Sequence, residues 1–268
     1  RTGNNFTNSI TLSGGNEKNQ TYFSYSNTQA QGITPNNDLS RHNFNFKESA
    51  NFFNDKLKVE GGANYITQKL ENAPQTGFYF NPIVGLYLLP RSIDISPYKE
   101  FEKFNPARNL YDQNWFSITD NETTQQNPWW IVNRNQNSSV RNRLLLNGSA
   151  KYTATPWLSV QARGSLDRTS EVYERKVYAG TQSILSRPNG RYDYTNTTIT
   201  QQYADLVANV NFDVTDKFKI SGVVGTSITD WKTEGVDYNS GQESPKIPYV
   251  FTLQNSTTPR PSTLSAMR

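Results

Sequence analysis

The feature that most restricts this chain is an alternation of apolar and polar residues that runs on for longer than an ordinary strand. In residues 57–65, Leu57, Val59, Gly61, Ala63 and Tyr65 fall on one side, and Lys58, Glu60, Gly62 and Asn64 on the other. Leu144, Leu146, Gly148, Ala150 and Tyr152 oppose Arg143, Asn147, Ser149 and Lys151, with Leu145 as an exception. Leu158, Val160, Ala162, Gly164 and Leu166 oppose Ser159, Gln161, Arg163, Ser165 and Asp167. A period of two belongs to a strand with one apolar face, whereas a helix repeats every 3.6 residues. A slip of one residue would turn each apolar set to the wrong face, so the pattern also fixes register.

The alternation predicts four hairpins. They pair 7–14 with 21–31, 41–52 with 57–69, 140–153 with 157–173, and 201–212 with 218–238. Their corners read GNEKNQ, FNDK, ATP and DVTDK, rich in residues that supply turn conformations. At the other end the connections are long: 33–40, 70–139, 174–200 and from 239 onward. Strands in soluble sheets are most often ~5–6 residues long, whereas ~9–11 cross a membrane. Short turns at one rim and long loops at the other are the pattern of outer-membrane barrels.

The aromatics follow the same plan. Phe52, Phe53, Tyr152, Trp157, Phe212 and Phe218 sit beside the corners, and Tyr25, Tyr65, Tyr173 and Trp231 lie a span away. Two such belts are what membrane interfaces select, which makes Tyr65, Tyr152, Tyr173, Trp157, Phe212 and Phe218 expected interface residues. Backbone groups in lipid are satisfied only in helices or closed barrels. The expected fold is therefore all-β, an antiparallel transmembrane β-barrel. Residues 1–268 form an arc of about eight strands that does not close, with 70–139 as a long extracellular loop. The alternative is a soluble or surface-attached β-sandwich that binds glycans, its aromatics plugging the ends of a core.

Composition narrows the function classes. Hydrophobic residues make up 34% of the chain and mean hydropathy is −0.76, yet aromatics reach 13%. Disordered chains are poor in aromatics, so the polarity is that of a thin apolar skin. Without cysteine there is no disulfide framework or thiolate metal site. The net charge of +4 comes from 27 basic and 23 acidic residues that are scattered, which leaves no nucleic-acid footprint. His42, the only histidine, builds no multi-histidine metal site. No glycine-rich loop leads into a helix, and carboxylates such as Asp38, Glu48, Asp112, Asp120 and Glu122 are dispersed. Neither catalysis nor a cofactor is expected. The first residues, RTGNNFTNSITLSGG, lack the profile of a signal peptide, and the chain reads as a piece of a longer one.

Residues 1–33, RTGNNFTNSITLSGGNEKNQTYFSYSNTQAQGI, resemble the first barrel strands of the SusC/RagA-like TonB-dependent transporters of Bacteroidetes. Residues 1–3, 13–18, 22–25 and 32–33 carry the likeness. RHNFNFKESANFFNDKLKVEGGANYITQK resembles the next hairpin, and FNPIVGLYLLPR and FNPARNLYDQNW resemble the family's loop segments. The resemblance implies a plugged barrel of about 22 strands in a Gram-negative outer membrane. It implies drive from the TonB complex through N-terminal parts outside this chain, and a SusD-like surface lipoprotein as lid. The implied cargo is an oligosaccharide or peptide, and outer-membrane lipid is the implied surrounding.

The 70–139 connection is the candidate site. Loops of that length are usually functional or disordered. It is rich in aromatics, with Tyr111, Trp115, Trp129 and Trp130 among them, and is punctuated by Arg91 and Arg108. Aromatic faces with guanidinium donors suit sugar or peptide capture. For Trp129 and Trp130 the choice between capturing cargo and forming the loop's own core stays open.

Overall fold

The computed structural model describes residues 2–116, 126–215, 217–240 and 244–256. Eight long strands form one antiparallel sheet: β1 (Asn4–Gly15), β2 (Asn19–Gln31), β3 (Asp38–Phe52), β4 (Leu57–Glu71), β7 (Asn135–Thr155), β8 (Leu158–Val177), β9 (Arg191–Thr215) and β10 (Phe218–Asn239). They lie side by side in chain order, each paired with the next. β1 and β10 are edges that do not meet, so the sheet is an open arc. A separate hairpin, β5 (Glu102–Asn105) and β6 (Leu110–Gln113), lies inside the long connection, with helices α1 (Pro82–Leu88) and α2 (Pro128–Arg134). No second large sheet exists among the described residues, so the β-sandwich alternative is not the architecture.

Register joins the alternating sets into two continuous faces. Phe46 pairs with Ala63, Ala63 with Leu146, and Leu146 with Leu166. Ala150 pairs with Ala162 and Ala162 with Leu206, all on the same apolar face. On the other face, ion pairs cross between neighbouring strands: Arg141–Glu171 at 2.7 Å, and Arg143–Asp167 and Arg163–Asp205 at 2.6 Å. Asn64 donates to Asn43 there at 2.8 Å. A cavity of about 870 Å³ opens against this polar face, bordered by Tyr22, Asn45, Lys47, Ser49, Glu60 and Asn147. The polar face is therefore the concave one.

The cross-strand rows climb relative to the corners. The row that begins at Gly14, beside the first corner, runs through Thr21, Glu48, Gly61, Gly148 and Gly164 to Ala204. It ends roughly a dozen residues above the last corner. This stagger tilts the strands by roughly 40°, as barrel closure requires. With that tilt, the aromatic rings near the corners lie on the apolar face at one rim: Phe52, Tyr152 and Phe212, with Trp157 edge-on to Phe212 at 6.5 Å. Phe218 is exposed at the fourth corner. Farther up the same face, Tyr25, Phe44 and Tyr65 stand in one row, with ring centroids 4.8 and 6.5 Å apart.

Two belt assignments are corrected. Tyr173 lies an odd number of residues from Leu166, so it points to the polar face, where Gln75 donates to its hydroxyl at 3.5 Å. Trp231 pairs with Gln201 and shares that face. Distance from a corner sets height, but parity sets side. Several boundaries also move. β9 begins at Arg191 and β8 runs to Val177, so the connection expected at 174–200 shrinks to 178–190. The Asn- and Thr-rich run 195–200 resembles a loop by composition, but threonine suits a pleated surface and each residue there has partners on both sides. The connection after β2 is only six residues, 32–37. Strand lengths rise from 12–15 residues in β1–β4 to 20–25 in β7–β10.

Candidate functional site

Above the corners' opposite rim, the connection between β4 and β7 folds into a cap. Three Asn-Pro pairs organise it. Asn81 Oδ1 accepts the Ile83 N–H at 3.0 Å and Pro82 opens α1. Asn105 Oδ1 accepts the Ala107 N–H at 3.1 Å, which starts the turn between β5 and β6. Asn127 Oδ1 accepts the Trp129 N–H at 2.8 Å and caps α2, with Pro128 in its first turn. Proline there has no N–H to leave unpaired, and asparagine is among the best N-caps.

Asn127 is fully buried and satisfied on every side. Its Nδ2 donates to the carbonyls of Tyr98 at 2.8 Å and Asn114 at 2.6 Å, and its N–H donates to Gln113 Oε1 at 3.1 Å. Gln126 beside it donates to the Tyr79 carbonyl at 2.6 Å. Together these bonds tie α2 to three separate stretches of the connection, at Tyr79, Tyr98 and 113–114.

Trp130 forms the centre of the core, 0% exposed. Its Nε1 donates to Thr181 Oγ1 at 2.9 Å, and that hydroxyl donates to Asn135 Oδ1 at 3.1 Å. Thr181 belongs to the 178–190 connection, so this chain of bonds locks the two loops together. Gly180 makes the approach possible: its φ is +92°, and a Cβ would come within 2.2 Å of the Tyr111 carbonyl and 2.9 Å of the Trp130 ring. Ile131, Leu110, Val177, Ala179 and Leu185 complete the buried apolar set. Arg134 pairs with Glu102 at 2.5 Å and lies over the Tyr178 ring at 5.0 Å. Residues 244–256 wrap the outside, placing Phe251 against Tyr178 and Tyr192. Burial and the Glu174 carboxylate to which its hydroxyl donates at 2.6 Å push Tyr192 well above the usual tyrosine range.

The six candidate contact residues separate by exposure. Trp130 is core and offers no surface. Trp129, the next residue of α2, is half-buried, and so is Trp115, edge-on to Tyr98 at 5.2 Å. Arg108 and Tyr111 are exposed on the β5–β6 hairpin; Tyr111 meets Phe104 edge-on at 5.5 Å. The Arg108 guanidinium pairs with Asp112 at 3.3 Å and donates to the Pro188 carbonyl. A cavity of about 500 Å³ opens there, bordered by Arg108, Gly180, Thr181, Ser183, Ser186 and Arg187. Arg91 stands apart in an exposed turn after α1. Asn127, Gln126 and Thr181 were not singled out from the sequence; the repeated Asn-Pro pairs were the available signal. The long connection is thus a small folded unit with Trp130 in its own core, and it presents an open cavity lined by guanidinium and hydroxyl groups, with the exposed Tyr111 ring on the same hairpin as Arg108.

No protein-family model and no curated relative matches the chain. Solved structures do. The chain is similar to the RagAB peptide transporter, with a TM-score of 0.74 at 15% identity over 98% of its residues. It is similar to the RagAB peptide importer in the "open-open" state (TM-score 0.73, 15% identity, 97% of this chain) and in the "closed-closed" state (0.70, 16%, 97%). In each case the chain covers 28% of the transporter chain's length. The fold is that of one portion of a transporter-like β-barrel.

Proposed function

We propose that this chain forms part of the wall and outer loops of a TonB-dependent active transporter in a Gram-negative, Bacteroidetes-like outer membrane. The observation that carries the reading is the two-faced open sheet. An apolar band between two aromatic rows faces one way, a charged concave surface faces the other, and a folded cap sits at a single rim. Lipid is the solvent that suits the first surface, and a water-filled or plugged lumen suits the second. The likeness to RagAB supports the same architecture.

Within that reading the cargo is a glycan fragment or a peptide, and the cap supplies contacts. Arg108 and Tyr111 are the proposed cargo-facing pair, with Trp115, Trp129 and Arg91 as further contacts to cargo or to a SusD-like lipoprotein lid. Trp130 supports them from beneath. Energy arrives from the TonB complex through parts outside this chain. The test is double substitution, Arg108→Ala with Tyr111→Ala, in the complete transporter. Uptake and cargo binding should fall together while outer-membrane abundance stays constant. Unchanged uptake would remove the cap from the pathway. A chain that partitions into water without detergent would remove the membrane reading itself.

A further inference from the structure

The arginines of the large sheet are distributed unequally between its faces. Arg41, Arg141, Arg143, Arg163, Arg175 and Arg191 all point to the polar face. Five of these six are matched by carboxylates: Glu171, Asp167, Asp205 and, for both Arg175 and Arg191, Asp193. Arg168 is the exception. It lies two residues above Leu166, on the apolar face, exposed and with no hydrogen-bond or ion-pair partner among the described residues.

Its height is specific. Arg168 stands roughly ten residues above its corner, where a strand completes a ~9–11-residue crossing. In its row, Leu144 lies on one side and Thr200 on the other, with Tyr65 of the upper aromatic row beyond Leu144. Above it the apolar face turns polar: Ser170 accepts from Thr198 at 3.5 Å, and Tyr65 donates to Asn142 at 3.4 Å. Lys232 occupies the same row on β10, its charge matched by Glu234 at 2.7 Å. Asp230, in the adjacent row two strands away, makes no ion pair with Arg168.

We propose that Arg168 holds the phosphate of an outer-leaflet membrane lipid, with the Thr200 and Ser170 hydroxyls as further donors. An unpaired guanidinium is costly inside hydrocarbon but suited to its edge, where the side chain can reach the headgroup layer. Guanidinium matches phosphate with two parallel hydrogen bonds. The site rests on the apolar face being the lipid face.

The experiment uses the full-length protein that carries this chain, extracted in detergent, with bisphosphorylated lipid A and its dephosphorylated form as probes. Membrane embedding is scored first and separately, from heat-modifiable migration on gels; a protein that fails there sinks the membrane reading, not only this site. In an embedded protein, Arg168→Gln should weaken binding of the bisphosphorylated lipid about fivefold. Arg168→Lys should restore part of it, and Arg41→Gln, on the opposite face, should change nothing. Should Arg168→Gln fail to fold, Arg168→Lys and the preference of the unaltered protein for the phosphorylated lipid carry the test. Equal binding of both lipids, equal loss in Arg41→Gln, or full competition by inorganic phosphate alone would each overturn the proposal.

Discussion

The cap and the sheet below it use apolar residues in opposite ways. In the cap, Trp130, Ile131, Leu110 and Val177 are buried among one another, as in any water-soluble core. In the sheet, Leu206 is 50% exposed and Val224 74%, although both belong to the face selected for apolar character. One region removes its greasy groups from solvent by packing; the other presents them. A single chain that does both is built for two solvents, and the boundary between them falls where the strands rise past the upper aromatic row.

The contrast can be broken hardest at Trp130. Trp130→Ala should cost the cap about 3–5 kcal/mol and remove the donor to Thr181 Oγ1, leaving that hydroxyl only its bond to Asn135. Limited proteolysis should then cut within 72–134 while β-sheet circular dichroism persists; loss of the whole sheet would show that the two regions are not separate. Next in size is a charge on the outer face. Ala162→Arg should destabilise the embedded protein by roughly 2–4 kcal/mol, whereas Gln161→Arg, one residue away on the polar face, should be near neutral. Equal effects in reversible urea unfolding from lipid would erase the distinction between faces. Asn127→Ala removes a cap and leaves the half-buried Tyr98 and Asn114 carbonyls without their donor, for roughly 2 kcal/mol, again read as nicking of the cap alone.

The smaller effects are electrostatic. Tyr192 keeps its proton to a higher pH folded than unfolded, so its contribution is complete below pH 10.0 and declines as pH rises beyond that. Cap proteolysis should accelerate above pH ~10, and Tyr192→Phe should blunt that rise. Least of all, Arg143→Gln should cost under about 1 kcal/mol, because the pair it leaves lies exposed on the concave face.

The sheet was largely legible because alternation and register are the same information: once Leu57, Val59 and Ala63 share a side, their partners Tyr152, Ala150 and Leu146 follow. For Tyr173, distance from the corner gives the height but parity gives the side, and parity places it on the polar face. The cap was less legible because its order comes from side chains reaching distant backbone. Asn127 touches Tyr98, Asn114 and Gln113, and nothing in local periodicity marks those partners. Residues 195–200 differ from the expected loop for a related reason: their composition suits a loop, while pairing on both flanks decides their conformation.

The rise in strand length from β4 to β7 gives the wall an uneven parapet. Where β2 returns through six residues to β3, the sill is low; beyond β7 the wall stands higher and carries the cap. On the proposed reading, a molecule that enters over β2 and β3 has the shorter wall to clear before it reaches the cap that carries Arg108 and Tyr111, so the height of the wall, as well as binding, governs access.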